Sequence, residues 1–405
     1  MKIEVDNVKG FQDYIPQISL KKEEVKKIIE NKFKVYGFRP IETPIIEFEE
    51  FIRGENLEED EAVSDRFRLR DRVGRNIGLR HELNFQLARV FKQNPGIKLP
   101  LRVYQIGPVF RDELVGPGKF RQFTQCNVNV IGESGLEGEF EVISIVSEIL
   151  KELGIDFELQ INNRVLLKAI IESVQINEVN NAMRELNKLS RLGEDMVKLN
   201  LKKYADANQI LTLFKLMEKN ISFFVENAFD GAKELKYLIE KCIGRGIKIR
   251  LNTGLVGGFS YYTGNVLKFV SGKTVVAGGG RYDGLVGKYS GRQVQAIGIS
   301  LGLERATDLA NIKVTNIPAV ILISLGHDIE INKMSKKLRQ EGVSCIVFCN
   351  NFEKSLDFAR NQEIPYAVII GDNEIAENKV KLKDIKSGEE KLLLERSVVS
   401  FLKKI

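Results

Sequence analysis

Apolar and polar positions alternate along the chain with two periods. Residues 20–35 place Val25, Ile28, Ile29 and Phe33 at helical spacing, and Gly37 supplies a stop. The run Gly37–Pro44 holds two prolines, which argue against a helix and predict a turn into an extended strand. Period-two alternation follows over Arg66–Arg72 and returns over Arg75–Leu79, after Gly74. Helical spacing resumes over His81–Phe91. Leu101–Phe110 and Arg121–Ile131 read as strands, joined by Glu113–Lys119, a hairpin loop rich in Gly and Pro. Gly138–Leu153 reads as a helix.

From 165 to 245 the chain lacks Pro, has few Gly and predicts successive helices, an insertion or side domain. Strand character returns over Arg250–Leu267, Thr274–Gly280 and Ala296–Leu301. After Pro318 the texture changes. Short β-rich runs (Ala319–Leu325, Ser344–Phe348, Tyr366–Ile370, Lys379–Lys383) alternate with helical stretches (Ile329–Glu341, Glu353–Gln362, Leu393–Lys404). That alternation predicts a small, largely parallel α/β sheet over 318–405. Strands arriving in consecutive pairs predict an antiparallel sheet with helices on one side for 1–164 and 246–317. The fold class is therefore α+β with a C-terminal α/β domain.

Composition adds limits. The 405 residues are 43% apolar and 29% charged, which is ordinary for globular proteins. Two or three domains suit that length. Apolar runs such as Ala319–Leu325 are far shorter than the roughly 20 residues a bilayer requires. The N-terminal segment shows no secretory pattern, so a cytoplasmic protein is expected. Cys126, Cys242, Cys345 and Cys349 are scattered, without paired zinc-ligand spacing, and read as reduced thiols. His81 and His327 do not complete a zinc site. The formal charge of +6 is mild, compatible with a nucleic-acid partner without indicating one.

Three stretches carry candidate chemistry. Arg111 ends one strand, a loop follows, and Arg121 begins the next. Two arginines so placed suit a polyphosphate, because the planar guanidinium binds phosphate oxygens in pairs and keeps its charge. A surface ion pair of Arg111 with Glu113 is the plainer reading of the same residues. The second stretch is Ala277–Gly284, with Gly278, Gly279 and Gly280 in succession. Glycines on a strand let a flat ligand or another backbone come close, although a tight turn is the commoner cause. No Gly-Lys-Ser/Thr follows, so this is no Walker loop. The third, Ala296–Arg305, reads as a strand running into a helix with Arg305 in its first turn.

Taken together and in order, these stretches resemble motifs 2 and 3 of class II aminoacyl-tRNA synthetases, and specifically the histidyl-tRNA synthetase family. Tyr104–Arg111 and Arg121–Gln125 look like motif 2. Lys9–Tyr14 looks like the family's opening segment, Arg39–Pro44 resembles motif 1 at the dimer interface, and Leu79–Asn84 is similar to the amino-acid-binding loop. Tyr261–Gly264 and Ala277–Asp283 resemble the two histidine-specific motifs, and Pro318–Ile405 resembles the anticodon-binding domain. The resemblance implies a homodimer that uses ATP with Mg2+, histidine and tRNA(His) and has no membrane partner. It implies that Arg111 and Arg305 are catalytic, with Arg111 on the α-phosphate. Arg121 and Arg305 would hold the outer phosphates, Phe123 would stack on adenine, and Gly279 and Glu113 would lie beside the nucleotide. Glu82, Leu83, Asn84, Gln125, Asn129, Tyr261 and Tyr262 would form the histidine site. Magnesium would arrive with the phosphates, with no metal site built from the protein alone.

Three positions depart from the family pattern. Asn129 stands where an acidic residue receives the substrate's ammonium. Gly257 stands where an arginine faces the α-phosphate, and Lys268 is a basic candidate in the same strand region. Asn84 replaces a threonine. Two functions of different class follow. One is a histidine–tRNA ligase. The other is a non-charging paralogue, such as the synthetase-like regulatory subunit of ATP phosphoribosyltransferase.

Overall fold

The computed structural model describes residues 5–53, 66–116, 118–257, 261–289, 291–314, 318–348 and 351–404. The expectations that rest on Pro117, Gly258–Ser260 and Cys349 lie outside them. The chain divides into two compact units, Met1–Ile312 and Lys313–Ile405.

The first unit holds β1 (Arg39–Pro40), β2 (Ile46–Phe48), β3 (Arg68–Arg70), β4 (Asn76–Leu79), β5 (Leu101–Phe110), β6 (Gln122–Ile131), β7 (Glu158–Asn163), β8 (Ile249–Leu251), β9 (Asn265–Ser271), β10 (Thr274–Arg281) and β11 (Ala296–Gly302). Eight of these form one sheet in the order β1-β5-β6-β11-β10-β9-β7-β8. Its six central strands pair antiparallel, whereas β1 joins β5 and β8 joins β7 in parallel at the edges. The antiparallel expectation thus holds for the interior and not for the rims. Each rim strand is short and reaches its neighbour through a crossover, which permits parallel pairing. A small sheet, β2-β4-β3, lies outside this order.

The two faces of the large sheet differ. Cys126, Val128 and Val130 on β6, Leu159 and Ile161 on β7, Leu267 and Phe269 on β9, and Ile297, Ile299 and Leu301 on β11 belong to one core cluster. Residues of helices Pro16–Val35 and Glu137–Glu152 close that side. Alternate positions on β6, β10 and β11 include Gln125, Asn127, Asn129, Gly278, Gly280, Gly298 and Ser300, which are polar or lack a side chain. This second face holds the site.

Seven helices between Arg164 and Gly244 occupy the segment expected to be helical. Asn163 caps the first by accepting from the Val165 and Leu166 amides, and Asp206 with Gln209 forms a capping box on the fifth. Their apolar residues, such as Leu166, Leu213, Phe224 and Leu235, join the same core as the sheet. The helix expected from His81 starts only at Phe85. Residues 81–84 are drawn out of it because the Glu82 carboxylate accepts from the Asn84 and Phe85 amides.

The second unit holds β12 (Val320–Ser324), β13 (Cys345–Phe348), β14 (Tyr366–Ile370), β15 (Val380–Asp384) and β16 (Glu390–Leu393), in the order β13-β12-β14-β15-β16. β12 pairs in parallel with both β13 and β14, and β14-β15-β16 run antiparallel. The largely parallel expectation is correct for half of this sheet. β16 lies just before the helix expected over Leu393–Lys404, in a stretch given no element, and the helix itself spans Glu395–Leu402. Among the described residues no helix is long and apolar enough to cross a membrane.

Candidate active site

Strand register arranges the polar face of the large sheet in cross-strand rows, because paired residues point to the same side. One row runs Gly107–Gln125–Gly302. The next runs Gln105–Asn127–Ser300–Gly278–Lys268–Gln160, and a third runs Val103–Asn129–Gly298–Gly280–Val266–Asn162. Successive rows are about 6.6 Å apart. A cavity of about 310 Å³ lies over them.

The three glycines of β10 have different reasons. A Cβ at Gly278 would meet only the Leu267 carbonyl, at 3.4 Å, so the space above it is open to the cavity. A Cβ at Gly279 would run into the backbone of β11. One at Gly280 would lie 2.9 Å from the Tyr262 ring. Close approach of a neighbouring backbone and of a ring, and room for a ligand, are all met in one run.

Most of the nucleotide candidates line this cavity. The Arg111 guanidinium lies 5.1 Å from the centre of the Phe123 ring, and its Nε donates to the His81 carbonyl at 3.1 Å. This holds the cation ready over an aromatic face. Arg305 is in the first turn of the helix that follows β11 directly, and its Nη1 donates to the Val275 carbonyl at 2.9 Å. Glu113 and Gly279 also line the cavity. Arg121 does not: it donates to the Glu113 carbonyl at 3.2 Å and pairs with Asp112 at 3.2 Å, which turns it away. Lys119, from the same hairpin loop, lines the cavity instead.

Glu82, Asn84, Gln125, Tyr261 and Tyr262 line the same cavity. Tyr261 packs edge-on against Phe85 at 5.5 Å and against Tyr282 at 5.9 Å. Burial pushes the Glu82 carboxyl up to about 7, against the opposing pull of two backbone amides and Arg111. Burial likewise raises the Tyr261 and Tyr262 hydroxyls above the usual phenol range, so both remain protonated donors.

Two residues expected at the histidine site do not line the cavity. Leu83 is buried at 1% exposure and does not line the cavity, because the turn set by Glu82 points it into the protein. Asn129 stands on the right face, one row beyond Asn127, but the Tyr282 hydroxyl bonds to its Oδ1 at 2.5 Å and lies over it. Asn127, which the sequence reading passed over, does line the cavity and donates to the Asn84 Oδ1 at 3.1 Å. Period two counted onward from Gln125 places Asn127 on that face. Glu304 is another such residue. It lines the cavity, pairs with Lys22 at 2.7 Å and accepts from the Thr124 amide at 2.8 Å. No local pattern marks it, since its partners are distant in sequence.

Comparison with known proteins fits this geometry. The sequence model of the histidyl-tRNA synthetase family matches residues 10–306, and that of an anticodon-binding domain matches residues 319–405. The chain belongs to the histidyl-tRNA synthetase family. It is 31% identical to histidine–tRNA ligase 1 of Bacillus cereus (strain ATCC 10987 / NRS 248), over 96% of this chain and 95% of that one. It is 28% identical to the histidine–tRNA ligase of Finegoldia magna, over 99% and 100%. Its structure is similar to the crystal structure of histidyl-tRNA synthetase from Nostoc sp. PCC 7120, with a TM-score of 0.86, 25% identity and full coverage of both chains. A protein of Bacillus halodurans described as an ATP phosphoribosyltransferase regulatory subunit/histidyl-tRNA synthetase shares the fold. Its TM-score is 0.74 at 20% identity, over 89% of this chain and 97% of that one. The α+β class II synthetase fold with a C-terminal anticodon-binding domain is thereby established.

Proposed function

We propose that this chain is a histidine–tRNA ligase. The observation that carries the reading is a single cavity lined by two chemically different sets of residues. One set is Arg111, Phe123 and Arg305, and the other is Glu82, Gln125, Tyr261 and Tyr262. Joining an amino acid to a nucleotide requires that arrangement, since the chemistry is positioning and charge stabilisation.

In this reading MgATP lies with its base against Phe123 and its phosphates between Arg111 and Arg305, with Glu113 beside the ion. Histidine lies between Glu82, Gln125 and the two tyrosines. One oxygen of its carboxylate attacks the α-phosphorus, and pyrophosphate leaves with the bridging oxygen. The terminal ribose hydroxyl of tRNA(His) then attacks the acyl carbon, and AMP leaves. Gly116–Lys119 would meet the acceptor end, and residues 165–245 would contact the acceptor stem. The 318–405 unit would bind the anticodon. A homodimer is part of the proposal. Ile46, Phe48 and Leu69 on the small sheet are 50%, 58% and 43% exposed, apolar for a free surface.

The second reading, a non-charging regulatory paralogue, draws on Gly257 in place of an arginine. Histidine-dependent exchange of pyrophosphate into ATP, followed by charging of tRNA(His), separates the two. Exchange and charging support the ligase. No exchange at saturating histidine, together with activation of an ATP phosphoribosyltransferase, would replace it with the regulator.

A further inference from the structure

Lys268 occupies the middle row of the polar face, between Gly278 on β10 and Gln160 on β7. It lines the cavity and is half-buried. Among the described residues no carboxylate pairs with its ammonium and no acceptor binds it. Burial alone pulls it below the ordinary lysine range, with no opposing negative group. The other cavity cations differ. Arg111 and Arg305 rest on carbonyl oxygens, and Lys119 sits on an exposed loop. A partly desolvated, uncompensated charge is costly to keep unless an anion completes it.

Position says which anion. Toward one end of the rows, past Gln125, stands Phe123 on β6, against which the nucleotide's base is read to lie. Toward the other, one row on, Val266 and Gly280 carry the Tyr262 ring. Lys268 stands between the two, and its neighbour Gly278 leaves the intervening space open. Gly257, on the adjoining loop, has φ +89°, and a Cβ on it would come within 2.7 Å of the Tyr262 ring and 3.0 Å of Val266. That loop is held in place by Asn162, whose amide donates to the Thr253 and Leu255 carbonyls at 2.9 Å each.

We propose that Lys268 is a catalytic residue of this chain, its ammonium donating to a non-bridging oxygen of the α-phosphate at the junction of amino acid and nucleotide. The proposal rests on the ligase reading. In the adenylation step the carboxylate oxygen forms its bond to phosphorus while the bond to the bridging oxygen breaks. Negative charge grows on the non-bridging oxygens, and Lys268 meets it without transferring a proton. A preorganised donor at such a point is worth about 10²–10³ in rate.

The test compares the full-length protein with Lys268→Met and Lys268→Arg. In histidine-dependent pyrophosphate exchange, Lys268→Met is expected to lose about 10²–10³ in kcat with a smaller change in the KM for ATP. Exchange by the unaltered protein should fall at alkaline pH as the lysine loses its proton. Lys268→Arg should retain most of the rate and carry that fall to higher pH. Thermal unfolding separates this from a folding defect, since Lys268→Met removes a desolvated charge and should leave Tm unchanged or raised. If Lys268→Met exchanges within threefold of the unaltered protein, or Lys268→Arg leaves the pH profile where it was, the proposal is wrong. Should the unaltered protein show no exchange, the ligase reading fails and calorimetric titration with AMP decides alone. At least tenfold weaker AMP binding by Lys268→Met sustains the contact with the α-phosphate, and equal binding overturns it.

Discussion

At mid-strand in the eight-stranded sheet stand Gly278, Gly280 and Gly298. At mid-strand in the five-stranded sheet stand Ile321, Leu322 and Ile323. Both sheets bury apolar side chains, yet they do so differently. β12 is apolar on both faces: Val320 and Leu322 belong to one core cluster, and Ile321 and Ile323 to another. Helices Asp328–Gln340 and Glu395–Leu402 contribute to the first cluster, and Phe352–Asn361 to the second. β6 and β11 carry the large apolar cluster on one face, and on the other only their ends, Ile131 and Ala296, join a second cluster. The five-stranded sheet buries its central strand β12 on both faces. The eight-stranded sheet leaves one face to glycine, amide and charge, and there the cavity forms. A buried strand with a single apolar face marks where a ligand replaces protein packing.

Arg111→Ala should break the comparison most strongly. It removes the central cation over the polar face and is expected to abolish pyrophosphate exchange, a loss of at least about 10²–10³. Full exchange by the variant would show that the polar face does not act on phosphate through Arg111.

Ile323→Ala probes the other sheet. Ile323 is fully buried, and truncation should cost the C-terminal unit about 2–5 kcal/mol. Charging of tRNA should fall while histidine-dependent exchange persists, because every cavity residue lies in the first unit. Parallel loss of exchange and charging would deny that division of labour.

The Glu82 carboxyl offers a subtler test. Raised to about 7 by burial, it is protonated in the empty site below that pH and ionised above it. A neutral acid cannot pair with the substrate ammonium. The KM for histidine should therefore rise as pH falls below about 7, by up to about tenfold per unit. Histidine's own imidazole titrates nearby, so Glu82→Gln is the control. Its KM should be higher at pH 8 and should lack the added dependence. Identical pH profiles for the two proteins would remove Glu82 from ammonium binding.

Much of this was legible in the chain, for physical reasons. Leu101–Phe110 and Tyr366–Ile370 match observed strands end to end, because alternation and bounding turn residues are local signals. Arg305 in the first turn after β11 was legible from glycines at a strand–helix junction. The parallel rims were not, since two- and three-residue strands carry no period. Nor was the sealing of Asn129. It depends on Tyr282, 153 positions away, bringing its hydroxyl across the sheet. Lys268 was visible as a residue, but its facing the cavity follows only from its pairing with Gly278 and Gln160.

Arg121→Ala sharpens the same lesson at the smallest scale. Sequence order gives Arg111 and Arg121 equal standing as a clamp, and the structure separates them. Arg111 is held by a carbonyl and an aromatic ring within the cavity lining, whereas Arg121 pairs with the exposed Asp112 outside it. A partly exposed ion pair contributes about 0.2–1 kcal/mol, and its loss should change exchange by about fivefold at most. Tm should fall slightly, because the Nε bond to the Glu113 carbonyl that steadies the hairpin loop is lost as well. A collapse of exchange comparable with that of Arg111→Ala would mean that the loop swings Arg121 onto the phosphates when ATP binds. The cavity would then gain a cation that the ligand-free arrangement holds in reserve.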